Sequence, residues 1–422
     1  MNIRNPLLFL LVMLYAQVAG QDPLVQYSAS QYVLLNEDGE QISKDYDWID
    51  EPIDGLYRCS KQGRYGFLNT SGSMVIPCIY REASRFVEGL AIVVSSHGAW
   101  LINRAGKRIN RNAYQSAIIT NGNCIRIQMR NRWGLVDKRA NILHPCSLND
   151  LRNFSCGVSI FTKNGKVGII NVQGEVVEPP VHEFIPDFKE NFSWRFEGDK
   201  AGIIDRNGRW VGDPIYESIS SFSDGLAMAV LDGQTGFLDT LAQTVIPFAY
   251  HKAFLFHSNY TMVQKEGLWA VINRQGKIKT SFIFDYGSPF IKGRALVPQN
   301  GKLGFIDHNG SWLVEPRFDD VSYFDDRYIL AAHRGKWGVA NLHGDFIVSP
   351  IYKAVSEIAD GMFCVRSDTG YGFLDVNGQL AIPCEFDQSA KFKEGLCKIT
   401  YKGQKMIIDH FGNMIQSDHL LR

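Results

Sequence analysis

The sequence predicts an all-β protein made of tandem repeats, and three observations carry that prediction. A segment of the form Gly-apolar-apolar-Asn/Asp-x-x-Gly recurs every 34 residues without a gap. The apolar runs are short, rich in Val, Ile and Phe, and punctuated by Gly, Asn and Pro. No stretch keeps a 3.6-residue apolar period long enough for two helices per unit, although helical repeats of this length are known.

The repeat is clearest from Gly66-Phe67-Leu68-Asn69-Thr70-Ser71-Gly72, with matching segments starting at 100, 134, 168, 202, 236, 270, 304, 338, 372 and 406. The fourth position is Asn or Asp in all eleven copies: Asn69, Asn103, Asp137, Asn171, Asp205, Asp239, Asn273, Asp307, Asn341, Asp375 and Asp409. Other positions hold the same phase: Phe86, Phe154, Phe188, Phe222, Phe256, Phe290, Phe324 and Phe392, and Pro77, Pro145, Pro179, Pro247 and Pro383. Tyr32 to Gly39 is a decayed twelfth copy, as expected where an array closes against water.

Each unit reads as three strands. The first follows a Gly-Leu-Ala segment, as in Gly225-Leu226-Ala227. A tight turn follows, and Asn164-Gly165 and Asn300-Gly301 are the dipeptides that two-residue hairpins favour. The second strand carries the anchor, as in Lys302-Leu303-Gly304-Phe305-Ile306. Its two consecutive apolar residues point to opposite faces, so it should be buried on both. The Asp/Asn-x-x-Gly turn ends it, because Asp or Asn bonds the backbone two residues on and Gly accepts a left-handed φ. A third strand leads to Val75-Ile76-Pro77, and a connector of about ten residues carries the phased Tyr and Phe. Anchor glycines such as Gly304 and Gly338 should meet a neighbouring unit or an aromatic ring. The expected architecture is three-stranded antiparallel units stacked in an open curved array, with one or two propeller-like rings as the alternative.

Residues 1–20 have the layout of a secretory signal peptide: Arg4, an apolar run from Leu7 to Tyr15, then small residues ending at Gly20. The first Cys is Cys59, so no lipoprotein cysteine follows the cut. The expected organisation is a signal peptide at 1–20, a divergent capping repeat at 21–62, the array at 63–415 and a tail at 416–422. No segment after the signal peptide has the length and apolarity of a membrane span.

Gly335-Lys336-Trp337-Gly338, Arg132-Trp133-Gly134 and Gly63-Arg64-Tyr65-Gly66-Phe67-Leu68-Asn69 resemble the bacterial WG (or KWG) repeat, as do the Val-Ile-Pro and Phe-x-Glu-Gly-Leu segments. Val167, Ala201, Thr235 and Leu303 replace the namesake Trp. The resemblance implies a β-rich, often exported repeat protein and assigns no catalytic residue.

Chemistry-bearing patterns are few. Forty-four basic residues balance 44 acidic ones, which gives no field to draw the chain to nucleic acid. Asp205-Arg206-Asn207-Gly208, Asp307-His308-Asn309-Gly310 and Asp375-Val376-Asn377-Gly378 resemble fragments of a calcium loop. They lack its further carboxylates and bidentate Glu, so they read as turns. The eight Cys form no C-x-x-C pair and the ten His no metal spacing. Export would permit disulfides, with Cys59 and Cys78 lying within one unit. No unit breaks the pattern with clustered ionisable groups. The expected function is therefore non-catalytic, without cofactor or metal: binding an unknown protein or extended polymer. A carbohydrate- or wall-binding surface is the alternative. Trp210 and Trp312, just after the turn, are the candidate contact aromatics, whereas Trp100, Trp133, Trp269 and Trp337 read as packing between units.

Overall fold

A computed structural model describes residues 23–28, 31–120, 124–325, 327–393 and 395–415, so the signal-peptide and tail segments lie outside the described residues. Every regular element described is a β-strand. The chain divides into two compact units between Ala113 and Tyr114.

One sheet of the second unit shows the plan. Ser218–Ile219, Ala227–Leu231, Gln234–Leu238 and Thr244–Tyr250 form an antiparallel meander in that order. The last three are the strands the sequence predicts. The fourth comes from the connector: Thr244–Tyr250 runs directly into Lys252–Ala253, the edge of the next sheet. The hairpin turns are as expected, with φ of 52° at Asn164 and 79° at Gly165.

The anchor strand is buried on both faces, and its two apolar residues enter different cores. Phe67 packs with the following sheet and Leu68 with the preceding hairpin. Phe237 and Leu238 divide in the same way, as do Phe305 with Ile306 and Phe373 with Leu374. Each core is thus shared by two consecutive sheets. Where the anchor is aromatic, the phased Phe of the connector closes the core edge-on against it. Phe67–Phe86, Phe237–Phe256, Phe305–Phe324 and Phe373–Phe392 lie at 4.8, 4.9, 4.8 and 4.9 Å. Each such ring contributes about 1.5–3 kcal/mol by burial alone.

The anchor glycine has a specific cause. Trp337 pairs with Tyr352 and Val339 with Val348, so Ser349, Pro350 and Ile351 bulge opposite the lone Gly338. A Cβ there would stand 2.4 Å from the Val348 carbonyl and 2.9 Å from the Phe346 ring. The aromatic ring matches expectation; the neighbouring unit does not, because the nearest obstacle is the third strand of the same sheet. Proline suits the bulge, since it has no N–H to offer the ladder. Where the described residues form no regular third strand, Trp100, Ala270 and Met406 take the glycine's place. Gly202 keeps its glycine without a regular third strand, with Trp210 and Pro214 across from it.

The recurring Asp/Asn builds its turn in all eleven copies. In Asp307, Oδ1 accepts from the backbone N–H of Asn309 at 2.8 Å and Ser311 at 2.9 Å. Asn69 does the same toward Ser71 and Ser73 at 3.1 and 2.9 Å. Asn36 repeats the pattern toward Asp38 and Glu40, one residue out of the 34-residue phase. Either residue supplies the oxygen, so Asp307→Asn should change stability by less than about 0.5 kcal/mol. Thermal melts of both proteins should be the same with calcium and with chelator. A calcium-dependent rise present only in the wild type would refute the turn assignment.

A further tie was not foreseen. The acidic residue before the Gly-Leu segment takes a left-handed φ and accepts from a backbone N–H one repeat later. Asp54 bonds Gly89 at 2.8 Å, Glu190 bonds Gly225 at 2.7 Å, Asp224 bonds Asn259 at 2.7 Å and Asp360 bonds Gly395 at 2.6 Å. Ser258 and Cys156 take the same left-handed φ at this phase without a carboxylate, so the clasp adds to a backbone conformation the turn already imposes.

Candidate functional site

Away from the two ends of the described chain, one hairpin departs from the plan. Phe192–Glu197 and Lys200–Asp205 form a two-stranded sheet, with neither a connector strand nor a regular third strand at its edges. The unpaired edge leaves room for large side chains. Trp194 and Phe196 replace the Ile92 and Val94 of an earlier copy, and Phe184 stands where other copies place Glu82, Asp150 or Ser218.

The three rings form one patch. Phe184 and Trp194 lie 5.8 Å apart, and Trp194 meets Phe196 edge-on at 5.4 Å. Phe184 is 47% exposed and Phe196 43%. Trp194 is half-buried against the core formed with the next sheet, which fixes the patch to the scaffold. The Arg152 guanidinium sits 5.9 Å from the Phe184 ring and is held by Asp187 at 3.2 Å.

Arg195 belongs to a second cluster. Its guanidinium lies 2.8 Å from Glu178 Oε1 and 2.6 Å from His182 Nε2, and 4.5 Å from the centre of the Trp210 ring. His182 Nε2 is 2.8 Å from Glu178 Oε1. The sequence reading found no unit with clustered ionisable groups, and this cluster corrects it. Glu178 and His182 come from the third strand of one sheet and Arg195 from the first strand of the next, so their proximity is made by stacking. The group is largely buried, and its charge is spent internally on an ion pair and a stacked ring.

Trp210 and Trp312 are each half-buried, with a ring edge over the anchor glycine of their own unit. The Cβ sites of Gly202 and Gly304 lie 2.8 and 2.9 Å from those rings. Their shared phase therefore reflects a shared packing position, also used by Phe346 over Gly338. Trp269 is buried and stacks on Phe254 at 4.8 Å, as expected of a packing aromatic. Phe184 and Phe196 were missed because each is an ordinary residue until set against its phase equivalents.

Outside this hairpin, the third strands and their loops expose one aliphatic residue at a constant phase: Val181, Ile215, Ile283 and Ile351. Ile79 of the first unit, at the same phase, is exposed as well.

The sequence pattern described as WG containing repeat matches residues 65–95, 133–166, 202–234, 236–269, 269–302, 304–337, 337–368 and 371–404, more than half of the chain. No curated protein matches it. Among solved structures, a eukaryotic initiation factor is similar over 69% of this chain and 94% of its own, at 12% identity and a TM-score of 0.41. Hsv2p of Kluyveromyces lactis is similar over 53% of this chain and 91% of its own, at 11% identity and a TM-score of 0.30. PorZ, a surface component of the type-IX secretion system of Porphyromonas gingivalis, is similar over 94% of this chain and 73% of its own, at 10% identity and a TM-score of 0.23.

Proposed function

Since the chain belongs to the WG containing repeat family, we propose that it is a non-catalytic interaction protein, exported to the bacterial envelope, that presents a repeated surface to a protein or extended polymer. The observation that carries this reading is the patch of Phe184, Trp194 and Phe196 on the hairpin whose first strand has no connector strand beside it. Apolar side chains left in water beside fixed charges are the usual composition of a contact centre. Nearest-neighbour stacking holds the patch rigid, so little order is lost on binding. Export rests on the layout of residues 1–20.

A second reading is favoured by the same rings. Aromatic faces stack on the apolar faces of sugars, so a wall glycan is the alternative occupant. Phe184→Ser and Phe196→Ser alter exposed rings and should leave the fold intact. The double variant is expected to lose about tenfold or more in binding, equivalent to about 1.4 kcal/mol. Co-sedimentation with isolated cell wall and co-purification from envelope extract separate the two occupants. Unchanged binding in both assays would refute the patch. Amino-terminal sequencing of the envelope protein should begin at Gln21, and an intact Met1 would refute export.

A further inference from the structure

Cys59 lies on the strand Leu56–Lys61 and Cys78 on the strand Met74–Tyr80, with Arg64–Asn69 between them in the same sheet. Side chains on strands twice removed are ordinarily about 9–10 Å apart. Two features remove that gap. Cys59 pairs directly with Gly66, which has no side chain to stand between. Tyr65 pairs with Tyr80 and Phe67 with Ile76, so the bulge of Pro77, Cys78 and Ile79 folds over the same glycine. The two sulfurs meet there at 3.6 Å.

The arrangement is particular to this sheet. Cys146 and Cys384 occupy the phase of Cys78, but Ile127 and Val365 occupy the phase of Cys59. We propose that Cys59 and Cys78 are a disulfide-forming pair that, when oxidised, ties the first strand of this sheet to the third across the anchor glycine. Closure brings the sulfurs from 3.6 Å to about 2.0 Å.

The two thiols have unequal roles. Cys78 is half-buried and Cys59 fully buried. The hydrogen bond between them lowers the Cys78 thiol and raises that of Cys59, whose burial raises it further; Lys61 also favours the Cys78 thiolate. The thiolate is the attacking form. Cys78 therefore attacks a small-molecule disulfide such as oxidised glutathione, forming a mixed disulfide and releasing one glutathione thiolate. That thiolate takes the Cys59 proton. Cys59 sulfur then attacks Cys78 sulfur and expels the second glutathione. Two protein thiols become one disulfide, and one glutathione disulfide becomes two thiols.

The test uses the full chain, incubated with oxidised glutathione, denatured and alkylated without reductant. Of eight cysteines, eight minus two should alkylate, and all eight after reduction. A non-reducing digest should yield one linked peptide pair containing Cys59 and Cys78. Cys78→Ser, at the half-buried position, should leave seven cysteines, all alkylated, whereas Cys59→Ala should show no linked peptide pair and hold one glutathione on Cys78, so that every cysteine but Cys78 alkylates before reduction. Alkylation of every cysteine in the oxidised wild type, or a link between other cysteines, would overturn the proposal. The pair's use in cells rests on the export reading above. If the link forms with glutathione but the protein trapped in cells carries free thiols, the export reading fails and the pair stands.

Discussion

Gly338→Val is expected to destabilise the second unit by about 3 kcal/mol or more, at the upper end of what overpacking costs. The reason is which atom obstructs the new side chain. A Cβ at Gly338 stands 2.4 Å from the Val348 carbonyl oxygen and 3.0 Å from Pro350 Cα, both backbone atoms. Backbone pairing of Trp337 with Tyr352 and of Val339 with Val348 pins the bulge on either side, so it cannot retreat without breaking the ladder. The Val348 carbonyl meanwhile lies beside a buried side chain that anchors one core. Position 270 provides the control. It holds Ala in a sheet with no regular third strand, so Ala270→Gly should cost only what a strand glycine ordinarily costs, about 1 kcal/mol. Urea unfolding followed by Trp fluorescence measures both. A Gly338→Val midpoint equal to that of the wild type would refute the bulge as the cause of the glycine.

Removing residues 134–167, one full period, should leave a folded protein that melts cooperatively within roughly 10 °C of the intact chain. Trp133 would then join Gly168. Ile169 and Ile170 would take the places of Leu135 and Val136 on the two faces of the anchor strand. One shared core is lost and its neighbours meet through equivalent residues. Removing residues 134–150 should instead abolish the cooperative melt. It deletes most of the second strand and all of the third, and strands Cys124–Met129 without its hairpin partner. Far-ultraviolet circular dichroism and melting by calorimetry check both. Equal melting of the two deletions would refute a fold built sheet by sheet.

Much of the architecture lies in the one-dimensional pattern because, within each unit, cores are shared by consecutive sheets. The two-residue apolar anchor predicts two buried faces, and Phe67 and Leu68 do enter different cores. The Asp/Asn turn is likewise local, since its acceptor bonds lie two and four residues away. Even the bulge is written in the chain: Gly and Pro appear together in eight copies and are both missing around positions 100, 270 and 406. The connector strand was not foreseen, since Lys252–Ala253 is two residues long and has no period to detect.

The sequence by itself determined the repeat length, the strand class, the turn chemistry and the two-sided burial of the anchor. All four follow from side-chain alternation and backbone preferences acting over a few residues. Only the tertiary structure decided what lies beside what across strands and sheets. It set Phe184 beside Trp194, Arg195 beside Glu178 and His182, and Cys59 beside Cys78. The physical reason is that these neighbours depend on register, on a missing side chain at Gly66 and on which edges go unpaired. Those features change from copy to copy, so a pattern shared by all copies cannot encode them.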